Sequence, residues 1–479
     1  MSIVIPFPKY ATQDIEKGLG DTEETESTDS HPRVNGDKND PITPEITKIE
    51  SQQQSPRRPT SGTLTKVFTA RSNASVRDPG PPPDGGFEAW LQAFMGHFVV
   101  FNTWGMISSF GVFQTYYTTE FGLEPSAVSW IGSMQMSLHF LLGMFSGRAL
   151  DGGFFHWVIL PGFLLGSLGM FMTSLSTQYW QIFLAQGVLN GIGNGLQFSP
   201  AVSLVTTYFS TNRSLAVAIV ASGSATGGLV YPTIARQLLP RIGFAWTVRV
   251  MAFVMLAVGT CYCSLLKPRL PPRKRGPLLE LSAFKELPYT LYLVGNFFVY
   301  CGQYFPFYYI GSFSVKSVGM PYSASVNLLL VMNGVGLAGR LIPSYLADRK
   351  FGPQNVMIPS AFCSMLILYS WTAVKTEQGL YAWAIIYGIS SAAFQGLLAS
   401  ALSSLTKDMD KVGVRNGMGF SAVGIASLTG PPIAGALIQK GDGSYLYAQI
   451  WGASMVFVGA VALVMGRVKI TGWKLRARV

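Results

Sequence analysis

Charge is what this sequence has least of. Asp, Glu, Lys and Arg make up 12% of its 479 residues, against 49% hydrophobic residues. A chain so poor in charge cannot clothe an ordinary water-facing surface. Lysine is missing altogether between Lys66 and Lys267, and no Lys, Arg or Asp interrupts the stretch from Glu88 to Tyr117. Cysteine is scarce: Cys261, Cys263, Cys301 and Cys363 all lie in or beside apolar runs. That placement predicts reduced packing thiols rather than a disulfide framework. Cys261 and Cys263 stand two apart on a predicted helix and so point to different faces, which argues against a metal site. No apolar run follows Met1, so no cleaved signal peptide is expected. Gly191, Gly193 and Gly195 fall in the middle of an apolar run with no strand before them. They read as helix packing, not as a phosphate-binding loop. No paired carboxylates and no Ser/His/Asp set occur at a readable spacing. The chain is therefore expected not to be an enzyme and to need no cofactor.

What is present is a succession of long apolar runs behind a polar tail. Residues 1–83 are rich in Ser, Thr, Pro, Glu, Asp and Gln and are expected to be a disordered cytoplasmic tail. Twelve apolar runs follow, at about 88–117, 126–147, 156–175, 180–209, 214–236, 245–266, 289–312, 323–346, 356–374, 380–405, 416–439 and 448–467. A helix rises ~1.5 Å per residue, so each run is long enough for the ~30 Å hydrocarbon core. The mean hydropathy of +0.32 is lowered by the tail. The longest break between runs, 267–288, is basic and proline-rich and divides them into halves at 84–266 and 289–467. Residues 468–479 form a second basic tail. Net charge is +11; residues 1–87 carry ten basic against thirteen acidic side chains, leaving +14 on the rest.

That excess does not point to nucleic acid, because the basic residues sit in short loops. Arg148, Arg213, the 267–288 loop, Arg349, Lys350, Lys407, Lys411 and Arg415 fall on one side, together with the C-terminal tail. Arg236 or Arg241, Lys316, Lys375 and Lys440 fall on the other. The asymmetry predicts a multi-pass membrane protein with both termini cytoplasmic.

The halves echo one another. Gly147-Arg148-Ala149-Leu150-Asp151-Gly152 after the second run is matched by Tyr345-Leu346-Ala347-Asp348-Arg349-Lys350 after the eighth. An acid at that helix end can meet basic groups or a neighbouring helix N-terminus. Arg148, Asp151, Arg213, Asp348 and Arg349 are thus candidates for a cytoplasmic gate, the alternative being a turn with solvated charges.

These features resemble the major facilitator superfamily, and finer matches resemble its monocarboxylate porter branch. Asp84-Gly85-Gly86-Phe87-Glu88-Ala89-Trp90 is similar to that family's opening motif. Tyr208-Phe209, Arg213, Leu215-Ala216, Gly223-Ser224 and Gly227 are similar to its second signature. Gly339-Arg340, Ala347-Asp348-Arg349 and Gly430-Pro431-Pro432-Ile433-Ala434-Gly435 fit as well. The resemblance covers about residues 84–467. It implies an all-α membrane protein of twelve transmembrane helices in two six-helix pseudo-symmetric halves. There are departures: no Lys stands in the first helix, where Met106 or Ile107 lies, and Gly336 replaces an acid one turn before Arg340. They shift the resemblance toward the fungal porter-like proteins, whose substrates range from small acids to secondary metabolites.

Arg340 lies eight residues before Asp348, about 12 Å inside the cytoplasmic end. A charge there is costly unless it meets water, a partner or an anion. It is the leading candidate to bind a substrate carboxylate, against snorkelling or pairing with loop carbonyls. His97 and His139, near the middle of the first two helices, are candidates for a coupling proton or plain packing histidines. Gln186, Asn190, Asn194 and Gln197 share one face of the fourth helix, and Asn296, Tyr300, Gln303 and Tyr304 one face of the seventh. Such stripes line a cavity or glue helices together. With Asn102, Trp104, Asn333 and Gln395 they would make a polar, aromatic, weakly charged pocket.

The expected function is alternating-access transport of a small organic solute, monocarboxylate-like or partly apolar, with proton symport an open reading. Export of a larger secondary metabolite, or a non-transporting receptor on the same scaffold, are the alternatives. The expected partners are the small-molecule substrate, the lipid bilayer (by resemblance the plasma membrane) and protons. A monomer would suffice.

Overall fold

In the computed structural model the described residues are 80–210, 213–271, 279–406, 411–472 and 474, within a compact unit spanning 75–479. The expectations for residues 1–79, for 272–278 of the central loop and for 475–479 fall outside them.

The apolar runs form helices close to where the sequence places them. We number twelve: α1 (Gly86–Ser108, continuing as Phe110–Thr119), α2 (Pro125–Asp151), α3 (Phe155–Leu175) and α4 (Tyr179–Ile182, then Phe183–Leu189 and Asn190–Thr206). The chain from Arg213 to Leu265 is helical but breaks at Gly243, whose φ of 73° favours glycine, and it therefore makes two passes, α5 (213–242) and α6 (244–265). In the second half come α7 (Leu287–Gln303, continuing as Phe305–Phe313), α8 (Tyr322–Leu346), α9 (Pro353–Ser370), α10 (Glu377–Ser404), α11 (Val412–Lys440) and α12 (Leu446–Thr471). Among the described residues there is no strand.

Three helices depart from a plain rod. α7 breaks at Tyr304 because Pro306, in the first turn of the second segment, has no N–H to continue the ladder. α1 breaks at Ser109, whose hydroxyl donates back to the Gly105 carbonyl at 2.6 Å and competes with the helix bond. α4 carries a π-helical turn at Phe183–Leu189. Among the described residues, seven helical stretches are long and apolar enough to cross a membrane, the stretch through Gly243 counting once. α1, α2, α4 and α7 fall short of that measure, and three of these four are the bent ones.

Packing repeats between the halves. α1 packs on α5 and α7 on α11; α2 packs on α4 and α8 on α10; α3 packs on α6 and α9 on α12. The halves meet where α2 lies on α11 and α5 on α8. Glycine permits the closest approaches. A Cβ on Gly227 would stand 2.3 Å from the Phe101 carbonyl oxygen, and one on Gly430 would stand 2.3 Å from that of Cys301. Hydrogen bonds between halves gather at the end away from the basic loops. There Ser126 donates to the Pro432 carbonyl at 3.0 Å and Tyr322 to the Val112 carbonyl at 3.3 Å. The Tyr309 hydroxyl lies 3.0 Å from the Pro125 carbonyl and bonds Ser129. These contacts close that end.

Candidate functional site

Between the halves lies a cavity of about 20 Å³, room for a single water. Its walls are Trp104, Ile107 and Ser108 of α1, Met136 of α2, Tyr304, Phe307 and Tyr308 of α7, Asn333 and Arg340 of α8, and Gln395 of α10. Tyr304 at the α7 bend and Phe307 and Tyr308 beyond it share one wall. Phe307 and Tyr308 were not foreseen, because the stripe was ended at Tyr304; their spacing of three and four from Tyr304 was the available signal.

The cavity's polar groups are mostly donors. Arg340 Nη2 donates to Gln395 Oε1 at 3.4 Å, a long contact. No carboxylate among the described residues lies within ion-pair distance of it. The Tyr304 and Tyr308 hydroxyls are buried and have no protein hydrogen-bond partner. Asn333 instead spans the halves, donating to the Gly228 carbonyl at 3.3 Å. Arg, Tyr and amide N–H groups around a half-buried guanidinium suit an anion bearing several acceptor oxygens.

Five of the ten substrate-site candidates (Trp104, Tyr304, Asn333, Arg340 and Gln395) line the cavity. The other five do not. Asn190 is fully buried, accepting from Gln135 at 2.7 Å and Asn194 at 2.9 Å and donating to the Gly166 carbonyl at 3.0 Å. This amide ladder ties α2, α3 and α4 together. Asn102 donates to the Met255 carbonyl at 3.0 Å and accepts from Tyr231 at 2.8 Å, joining α1 to α6 and α5. Gln303 donates to the Ser391 carbonyl at 2.9 Å, and Tyr300 packs on Phe394 with ring centres 5.6 Å apart. A stripe on one face fits packing as well as lining, and here the neighbouring helix lies over it.

The histidines also stand away from the cavity lining. His97 Nδ1 lies 2.9 Å from the Ile219 carbonyl, which only accepts, so Nδ1 carries the proton; Nε2 lies 3.1 Å from Thr226 Oγ1. Ser222 completes the set at 3.0 Å. Ile219, Ser222 and Thr226 share an α5 face with exposed Leu215, Leu229 and Val230, the face a bilayer would cover. His139 is fully buried among Trp104, Phe140 and Phe198, with neither ring nitrogen partnered.

Of the gate candidates, the side chains of Asp151, Arg213 and Asp348 lie outside the described residues. Arg148 is half-buried, and the Arg349 guanidinium lies over the Tyr345 ring at 5.5 Å. A charge cluster that loop counting missed sits nearby. Arg415, 5% exposed, donates to Glu280 at 3.0 Å and to Glu286 at 2.9 Å, and Lys411 pairs with Glu280 at 3.1 Å. The Arg415 and Lys411 hydrogen bonds hold the Glu280 carboxyl down to about 2, and Arg415 lowers that of Glu286. Its signal was two acids inside a basic loop. In the first half, Asp84 likewise bonds Ser210 just before α5.

Comparison with known proteins agrees with this architecture. The family model of the Major Facilitator Superfamily matches residues 93–375. An MFS-type transporter of Gibberella zeae is 44% identical, over 88% of this chain and 96% of its own length. The Aspyridones efflux protein of Emericella nidulans is 34% identical, over 80% of this chain and 78% of its own. Among solved structures, a bacterial homolog of the human lysosomal transporter Spinster superposes with a TM-score of 0.64 at 14% identity. That match covers 83% of this chain and 99% of the homolog. The nucleoside transporter NupG gives 0.62 at 15% identity, over 79% and 99%. The chain belongs to the Major Facilitator Superfamily and is a multi-pass membrane transporter, not an enzyme.

Proposed function

We propose that this transporter exports an anionic, partly apolar small metabolite by alternating access, with Arg340 as the anchor for the anion. The observation that carries the reading is an arginine without an acidic partner among the described residues, set between the two halves opposite aromatic and aliphatic walls. A half-buried guanidinium without a carboxylate is costly, and an anionic ligand repays that cost. The porter-like motifs support a carrier of organic acids. The name of the relative from Emericella nidulans, an efflux protein, supports export and a secondary metabolite. The aromatic share of the lining favours a ring-bearing acid over a small hydrophilic one such as lactate. The loop charges support cytoplasmic termini, and the plasma membrane is the proposed location. Arg148, Asp151, Arg213, Asp348 and Arg349 would close the basic-loop end, and a monomer would suffice.

The test uses the purified full chain and 2-naphthoate, which pairs a carboxylate with fused rings. Binding is read from quenching of tryptophan fluorescence, and flux from labelled naphthoate in proteoliposomes. Losing a charge-assisted pair costs about 1.5–3 kcal/mol, so Arg340→Gln is expected to weaken binding roughly ten- to a hundredfold. Arg340→Lys should lose less, since it keeps the charge but not the fork. Equal binding by wild type and a folded Arg340→Gln would overturn the reading.

A further inference from the structure

The cavity holds a fixed positive charge but nothing that titrates near neutral pH. Among the described residues that line it there is no Asp, Glu, His or Lys. The guanidinium stays charged, and phenols titrate near pH 10. Among the described residues, the surroundings of Arg340 add no such group. α7 presents Tyr300 and Tyr304, α10 presents Gln395 and Gly396, α1 presents Trp104, and α8 itself presents Gly336. The sequence extends the point to all twelve helices. After Glu88 the acidic residues are Glu120, Glu124, Asp151, Glu280, Glu286, Asp348, Glu377, Asp408, Asp410 and Asp442, all in loops or at helix ends. Three histidines lie in the helices: His156 is exposed in the first turn of α3, and His97 and His139 remain deeper in the spans. His97 is bonded into the outward face of α5, and His139 is shut behind Trp104 by two phenylalanines. Neither is in the lining where substrate and proton would have to be exchanged together.

We propose that the carrier moves its anion unaccompanied by a proton, so that each turnover transfers one negative charge across the membrane. This rests on the anion reading above and goes beyond it. It names the driving force: a membrane potential negative inside expels the anion without a proton gradient. Charge balance needs no second ion, because Arg340 neutralises the ligand while it is bound and remains with the protein when it leaves.

The experiment uses wild-type protein in proteoliposomes, labelled 2-naphthoate, and protein-free liposomes as the blank. In one arm, valinomycin and a potassium gradient set the potential at equal pH. In the other, a pH gradient is applied with the potential clamped at zero. One charge across 100 mV is worth about 2.3 kcal/mol and a tenfold ratio about 1.4, so accumulation should change tenfold for each ~60 mV of inside-positive potential. It should ignore the pH gradient, and His97→Gln and His139→Phe should leave both responses unchanged. Accumulation that follows the pH gradient and ignores the potential overturns the proposal. So does bound naphthoate that moves in neither arm. The Arg340→Gln binding measurement separates the two failures. Arg340-dependent binding with pH-driven flux sinks only the uniport, whereas binding indifferent to Arg340 sinks the anion reading as well.

Discussion

At the end of the bundle away from the basic loops, one methyl group should be enough to prise the halves apart. Gly435 of α11 lies buried against the start of α2. A Cβ built there would stand 2.4 Å from the Tyr309 hydroxyl oxygen and 2.7 Å from Ser126 Cα. The tyrosine is held by the Pro125 carbonyl at 3.0 Å and by Ser129, and Ser126 is bound to the Pro432 carbonyl, so neither can step aside alone. Overpacking of this kind costs about 1–3 kcal/mol. Tyr309 belongs to the same half as Gly435 but is pinned by α2 of the other half, and Ser126 is itself on α2, so both contacts relax when this end opens and the cost enters the equilibrium between conformations. Gly435→Ala should favour the state open at this end by roughly 5- to 150-fold. With the four native cysteines replaced, Ser126→Cys reports on opening through its reaction with a membrane-impermeant maleimide. The labelling rate should rise by that factor in Gly435→Ala. Two comparisons guard the argument. Gly413→Ala on the same helix meets nothing within 4 Å and should change nothing. Gly430→Ala clashes with α7 of its own half and should lower the melting temperature without opening the seam. Unchanged labelling in a folded Gly435→Ala protein would refute the idea that this seam is the closed gate.

Two further outcomes concern the parts that hold the carrier together. The carboxyls of Glu280 and Glu286 are depressed in the folded protein, Glu280 to about 2, chiefly by Arg415. An unfolded Glu titrates near 4.3, so the stability they contribute is full above that value and is lost as pH falls from there toward about 2. Melting curves of wild type and Glu280→Gln in detergent should differ at neutral pH and converge across that window; a constant gap would refute the assignment. Asn190→Leu removes the acceptor used by Gln135 and Asn194. At roughly 1–3 kcal/mol for each buried donor left unpaired, the melting temperature should drop while naphthoate binding persists. Lost binding in a protein that melts normally would put Asn190 in the site.

The helices were legible because long apolar runs have few alternatives, and the gap read between 236 and 245 contains the break at Gly243. The bends were not. Ser109 bends α1 through a local hydroxyl bond that many membrane helices tolerate, and the π turn of α4 has no residue signature. The lining of the candidate cavity was half legible. Arg340 stood out because an intramembrane charge demands a reason whatever surrounds it. Asn190 and Asn194 misled because helical spacing says which residues share a face and not what covers it. Phe307 and Tyr308 continue the face of Tyr304 at the helical spacing and were passed over because they are less polar than the stripe before them.

The distribution of polar groups says what sort of ligand the bundle can hold. Amides inside each half are largely paired to carbonyls and to one another, so they contribute rigidity and offer little to a solute. Two buried phenols without protein partners, Tyr304 and Tyr308, lie in the cavity beside Arg340, whose contact with Gln395 is long, and all three come from α7 and α8. Apart from Ser108, the facing half contributes Trp104, Ile107 and Met136. A ligand satisfying both walls has its oxygens at one end and its apolar body at the other, and it touches both halves at once. A solute lacking the oxygens leaves Arg340 desolvated and unpaid, and one lacking the apolar body makes little contact with the opposite wall. On the proposed reading the selectivity rests on bridging, which ties recognition to the same seam that must open and close for transport.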